Sequence, residues 1–335
     1  MTESLFLSDA CKKFLEIVEM YRGFPELQRT NYNEIDWTNV EFYDENILGD
    51  IEKILLGKVD GTSHRKSEMS YKERAFLNGI IRKAKPQTIV EIGVSAGGSS
   101  CIILNAIRDR DAKLYSFDYN TTWYPEVSLQ NGRKTGFFVE ETVPNLIDKW
   151  ELYTGGVPSK YFDKLPKDGI DICFIDTMHT NPGEHLNILE ILPYIKKGGI
   201  VIYHDTMLHI PLEAHPYNQF ATTNCVSLNT LKGKRIYLKS ENTMGLPNIG
   251  ALILDEITDD ILWSLFVNIS LPWTYKISDK DFVEMFKHFS KYFPSDLVKI
   301  YIYYCLFYIN LFDNTEEIAK RIAEQEVMTW KSVHK

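Results

Sequence analysis

From residue 86 onward, short apolar runs alternate with amphipathic ones. "TIVEIG" (88–93), "KLYSFDYN" (113–120), "ELYTGG" (151–156), "DICFID" (171–176) and "IVIYHD" (200–205) read as five strands. Runs this apolar suit a sheet covered on both faces. Between them, "SSCIILNAIRD", "EETVPNLIDKW" and "HLNILEILPYIKKGG" read as helices. The last is closed by Lys196, Lys197 and a glycine pair, which suit the carbonyl end of a helix. "GALILDEI" (250–257) and "WTYKIS" (273–278) supply two more strands, and helical sequence follows to the end. Strand and helix in alternation predict an α/β fold with a mostly parallel sheet between two helical layers.

Upstream, Phe14, Ile17, Val18 and Tyr21 recur at helical spacing until Gly23-Phe24-Pro25 stops the run. A second helix is expected near 45–56, then a connector, "LGKVDGTSHRKSEMS", to Ser70. Ser70 is placed to cap the helix "YKERAFLNGIIRKA". The division this suggests is a helical extension over 1–68, a central domain over 69–280 and a helical segment over 281–335.

Composition narrows the function classes. A formal charge of −9 over 335 residues argues against charge-driven nucleic-acid binding, and "KGKR" (232–235) and "RKAK" (82–85) are short enough to be solvated ends. The five cysteines are scattered without CxxC pairs, which predicts reduced thiols and a cytoplasmic setting. No secretion signal is legible at the amino terminus. The apolar run "IYIYYCLFYINLF" (300–312) is too short to span a bilayer and reads as a buried or oligomer-forming helix.

Chemistry concentrates at the carboxyl ends of the expected strands. In "EIGVSAGGSS", Gly93, Ser95, Gly97 and Gly98 let backbone approach a ligand while a helix begins at Ser99 or Ser100, with Ser99 also a candidate cofactor contact. The spacing is not the G-x-G-x-x-G of a nicotinamide turn, and Glu91 before it suits an amine better than a pyrophosphate. Asp118 ends the second strand, where an acid can take both ribose hydroxyls. Long connections, about 120–138 and 206–248, leave the same sheet edge. They carry Trp123, Tyr124 and Arg133, and His209, His215 and Tyr217, as candidate acceptor-pocket residues, or simply as loop packing.

Glu91-x-Gly93-x-x-x-Gly97, Asp118 after the second strand and Asp176 after the fourth resemble the class I S-adenosylmethionine-dependent methyltransferases over about 69–254. The resemblance implies a Rossmann-like sheet of seven strands, the last antiparallel and inserted beside the fifth and sixth. It implies Glu91 and Gly93 beside the cofactor's methionine part, Asp118 on its ribose and Gly156 and Val157 at its adenine. Asp176, His179 and Asp205 further resemble the metal-assisted O-methyltransferases of sugars and catechol-like phenols. By that likeness Asp176 and Asp205 would hold Mg²⁺ or a similar divalent cation, and His179 would be the base. Met178 and Thr206 depart from that group, which has Asp and Asn at the matching positions. His179 could instead cap a helix, and His204 could be a satisfied core imidazole. The expectation is methyl transfer to a hydroxyl of a sugar or glycan. A phenolic acceptor, a nicotinamide-dependent oxidoreductase and a non-catalytic binding module are the alternatives.

Overall fold

The computed structural model describes residues 48–207, 223–238 and 248–314. The helix expected at 14–21 and His209, His215 and Tyr217 lie outside them. Seven strands form one sheet: β1 (Thr88–Ile92), β2 (Lys113–Asp118), β3 (Trp150–Thr154), β4 (Ile170–Ile175), β5 (Ile195–His204), β6 (Lys234–Tyr237) and β7 (Ile249–Leu254). Their order is β3-β2-β1-β4-β5-β7-β6. Pairing is parallel from β3 to β5, and β7 runs antiparallel to both β5 and β6. Chain order reverses between β1 and β4, so their carboxyl ends form the crevice where an open α/β sheet takes its ligand.

Pleating sends alternate side chains to opposite faces. Val90, Ile92, Phe117, Cys173, Ile175, Val201 and Tyr203 enter one core. They pack there with α5 (Gly183–Ile191), α7 (Asp259–Asn268), α8 (Asp279–Tyr292) and α9 (Ser295–Asp313). Ile89, Leu114, Ile172, Phe174, Ile200 and Ile202 enter the other, against α1 (Asp50–Leu55), α2 (Tyr71–Ala84), α3 (Gly98–Ile107) and α4 (Phe137–Thr142). The helix α6 (Thr223–Thr230) connects β5 to β6. Ser70 caps α2 in a reciprocal box with Glu73.

Three expectations about elements are corrected. "WTYKIS" is not a strand: Thr274 N donates to the Asn181 carbonyl, and 275–278 run across the cavity described below. The remaining strand is β6, which starts within the "KGKR" run and continues past it; a charged four-residue strand with one buried side chain suits a sheet edge and shows no periodicity. Lys196 and Lys197 do not close a helix. α5 ends before Pro193, and Lys196 sits in β5 with its ammonium 2.8 Å from a buried carboxylate, Asp171. "EETVPNLIDKW" also splits, α4 ending at Thr142 and a 3-10 segment following over Pro144–Lys149. Pro144 lacks the amide that would continue the helix.

Candidate active site

A cavity of about 960 Å³ opens at the β1/β4 crevice. Gly93, Ser95, Ser99, Asp118, Gly156, Val157, Asp176, His179 and Asp205 all line it, as do Trp123 and Tyr124. Glu91 and Gly97 are not at its wall. Arg133 stands away too, clamped on Glu126 and lying 4.9 Å from the Trp123 ring.

The turn after β1 is built for close approach. Gly93 has φ +95°, and a Cβ there would stand 1.8 Å from the Asp176 carbonyl oxygen, so only glycine lets β1 and β4 meet at their tips. Asp118 fixes the next residues: Oδ2 accepts from the amides of Val94 and Ser95 at 3.0 Å each, and Oδ1 from Asn120 at 2.8 Å. Ser95 takes the left-handed region at φ 53°, its hydroxyl accepting from the Trp123 indole at 3.2 Å. Glu91 shares the face of Ile89, so its carboxylate turns toward α3. Ser99, Ser100 and Ser116 each donate to it at 2.6 Å. It is fully buried, and burial pushes its carboxyl up to about 7 despite the three donors. Glu91 therefore meets the turn from behind, through the Ser99 hydroxyl.

Beside this turn, starting from Asp176, four elements bring charged side chains together. His204 closes β5, and its Nδ1 lies 3.3 Å from both Asp176 Oδ1 and Asp205 Oδ2. His179 Nε2 is 3.2 Å from Asp205 Oδ2, and its Nδ1 is 3.1 Å from Glu184 Oε1 on α5. Glu73 of α2 faces His204 Nε2 at 3.8 Å, and Asn248 donates to both Glu73 and Asp205. Burial disfavours the charged imidazoles, but the carboxylates outweigh it. His179 is raised to about 9 and His204 well above the ordinary histidine value. Burial likewise opposes the charge on Glu73 and Asp205. Facing His204, Glu73 falls to about 2 and Asp205 lies well below the usual carboxylate range.

His179 and Asp205 hold positive φ of 58° and 52° without being glycine. Such conformations cost about 1 kcal/mol or more each and persist where surrounding contacts impose them. Asp176, His204 and Asp205 could each offer an atom to one metal ion, as could Asp176, His179 and Glu184. Both sets mix carboxylate and imidazole, which suits a divalent cation.

Sequence reasoning did not find Glu73, Glu184 or Asn248. Glu73 stands three residues after Ser70, the spacing of a capping box, and that role accounts for only one of its oxygens. Glu184 and Asn248 carry no local signal, since each reaches the site from a separate element.

Residues 90–206 match a family model described as a methyltransferase domain. No curated protein matches the sequence. Among solved structures, similarity extends to an O-methyltransferase from Bacillus cereus in complex with SAH, at 15% identity and TM-score 0.43, over 64% of this chain and 94% of that one. An SAH-bound methyltransferase from Podospora anserina is similar at 12% identity and TM-score 0.45, over 76% and 100%. A putative O-methyltransferase from Klebsiella pneumoniae is similar at 16% identity and TM-score 0.41, over 63% and 89%.

Proposed function

We propose that this chain is a class I S-adenosylmethionine-dependent methyltransferase, a reading supported by its sheet order and by the methyltransferase-domain match over residues 90–206, and that it methylates a hydroxyl oxygen of a sugar or glycan with help from a divalent cation. One observation carries the reading. The small-residue turn after β1 and the group Asp176, His179, His204 and Asp205 line one cavity. A nucleoside cofactor seated on the turn would direct its methyl carbon toward that group.

Asp176 and Asp205, with His204 Nδ1 beside both, are the residues that would hold the cation. When bound, it would lower the pKa of a coordinated hydroxyl. His179 is the candidate base: a cation on Asp176 and Asp205 would neutralise two of the carboxylates that raise this imidazole to about 9, leaving Nε2 able to accept a proton at neutral pH. Its second nitrogen is taken by Glu184, which orients the ring and stabilises the imidazolium formed when the hydroxyl proton arrives. The deprotonated oxygen would then take the methyl carbon in line as the carbon–sulfur bond breaks, releasing S-adenosylhomocysteine. Orienting the two reactants supplies much of the barrier reduction. Tyr124, exposed at the cavity with the buried Trp123 behind it, offers an apolar face as a platform for a sugar ring. His64, Arg65 and Lys66 line the same cavity and would add donors for sugar oxygens.

The test is formation of S-adenosylhomocysteine by the full chain over a panel of free and nucleotide-linked sugars, phenols and amines, with Mg²⁺ or with EDTA. Turnover on sugars, abolished by EDTA and restored by Mg²⁺, is expected. Undiminished turnover in EDTA would refute the cation, and turnover on phenols alone would refute the sugar.

A further inference from the structure

We infer that Asp281, carried by α8 from beyond the last strand of the sheet, recognises the amino edge of the cofactor's adenine. The inference rests on the nucleoside reading of the cavity. Asp281 is only 6% exposed, yet it lines the cavity together with Val157, Pro158 and Met285. A carboxylate in such apolar company needs hydrogen-bond donors. Two hydroxyls reach it, Tyr119 at 3.0 Å and Ser278 at 2.6 Å, and both donate to Oδ2. Among the described residues, Oδ1 accepts no hydrogen bond and no cation pairs with the group. One acceptor oxygen is thus left for a donor arriving in the cavity.

The position of that oxygen suits a purine. Tyr119 directly follows Asp118, the candidate ribose ligand, and its phenol reaches Asp281. Asp281 is therefore tied to the residue next to the ribose position and lines the same cavity. Val157, with Gly156 the candidate adenine neighbour, precedes the 3-10 segment Pro158–Lys164. α8 packs on that segment, the His288 ring lying 5.4 Å from Phe162. Ribose acid, apolar wall and carboxylate line one cavity. The turn after β3, "TGGVPSKYF" (154–162), contains no acid of its own. Adenine presents an exocyclic N–H donor at its far edge, whereas hypoxanthine presents a carbonyl oxygen that a carboxylate would repel. A buried acceptor thus selects adenine. The cap of α8 is made by the Ser278 hydroxyl, which accepts from the Asp281 amide at 3.1 Å, so the cap does not need the Asp281 side chain.

The experiment measures, by calorimetry on the full chain, the affinity of S-adenosylhomocysteine and of its deaminated counterpart, S-inosylhomocysteine. It compares wild type, Asp281→Ala and Asp281→Asn. Wild type should prefer the adenine ligand by about 30-fold, the scale of one hydrogen bond to a charged group. Asp281→Ala should bring the two ligands within about threefold by weakening the adenine ligand. Asp281→Asn, nearly isosteric and able to donate to a carbonyl, should raise the relative affinity of the inosine ligand. A purely structural role would weaken both ligands alike and leave their ratio unchanged, and an unchanged ratio in both variants would overturn the inference. Wild type binding neither ligand would reject the nucleoside reading itself, and this inference with it.

Discussion

Glu91→Gln isolates a buried carboxyl whose effect can be worked from its surroundings. The side chain is fully buried and accepts three serine hydroxyls, and its carboxyl is raised from 4.5 to about 7. A folded pKa above the unfolded one means that the native state holds the proton more tightly. That stabilisation is complete below about pH 4.5 and is lost as pH rises through about 7. At 1.36 kcal/mol per unit, the linkage amounts to roughly 2 to 3 kcal/mol between about pH 5 and about pH 8. Glutamine has nearly the shape of the protonated acid, and the hydroxyls can rotate to meet its amide, so its contribution stays flat. Urea unfolding of both proteins across that range should show the variant gaining on wild type by this amount. Taking the difference cancels every other titrating group, Glu190 included. Parallel stability profiles would refute the argument that burial governs this carboxyl. Affinity for S-adenosylhomocysteine should stay within about threefold, since the carboxylate does not reach the cavity wall. A larger loss would put Glu91 on the ligand.

Removing the imidazole in His179→Ala should lower turnover about 100-fold and leave S-adenosylhomocysteine affinity nearly intact; a wild-type rate would rule out the base. Asp118→Ala should weaken that ligand about 100-fold by calorimetry, because the ribose and the amides of Val94 and Ser95 lose the same carboxylate. Unchanged affinity would remove Asp118 from the site. Gly93→Ala should cost about 3 kcal/mol or more in thermal or urea unfolding, since its methyl group would collide with the Asp176 carbonyl. A wild-type melt would contradict that packing.

Several of these features are set by local sequence. The apolar runs from Thr88 to Asp205 fixed five strands and their two-faced burial, because a strand's side chains alternate whatever its neighbours are. Strand ends carrying Gly93, Asp118, Asp176 and Asp205 then converge on one edge, since parallel strands in a crossover fold finish on the same side. The same alternation, followed from Ile89, turns Glu91 toward α3, a direction that the motif alone conceals.

What tertiary structure decided lies in contacts between distant segments. β6 is too short and too charged to show a period, and it exists because β7 offers an open edge. Lys196 sits in a strand because Asp171 is there to neutralise it, an attraction that outweighs its preference for a helix end. Glu73, Glu184 and Asn248 reach the charged group, and Asp281 the cavity, from four separate elements. Their roles depend on distances that only packing sets. Local sequence determines which backbone a segment adopts, whereas the charge on a buried group depends on what the rest of the chain brings within a few ångströms of it.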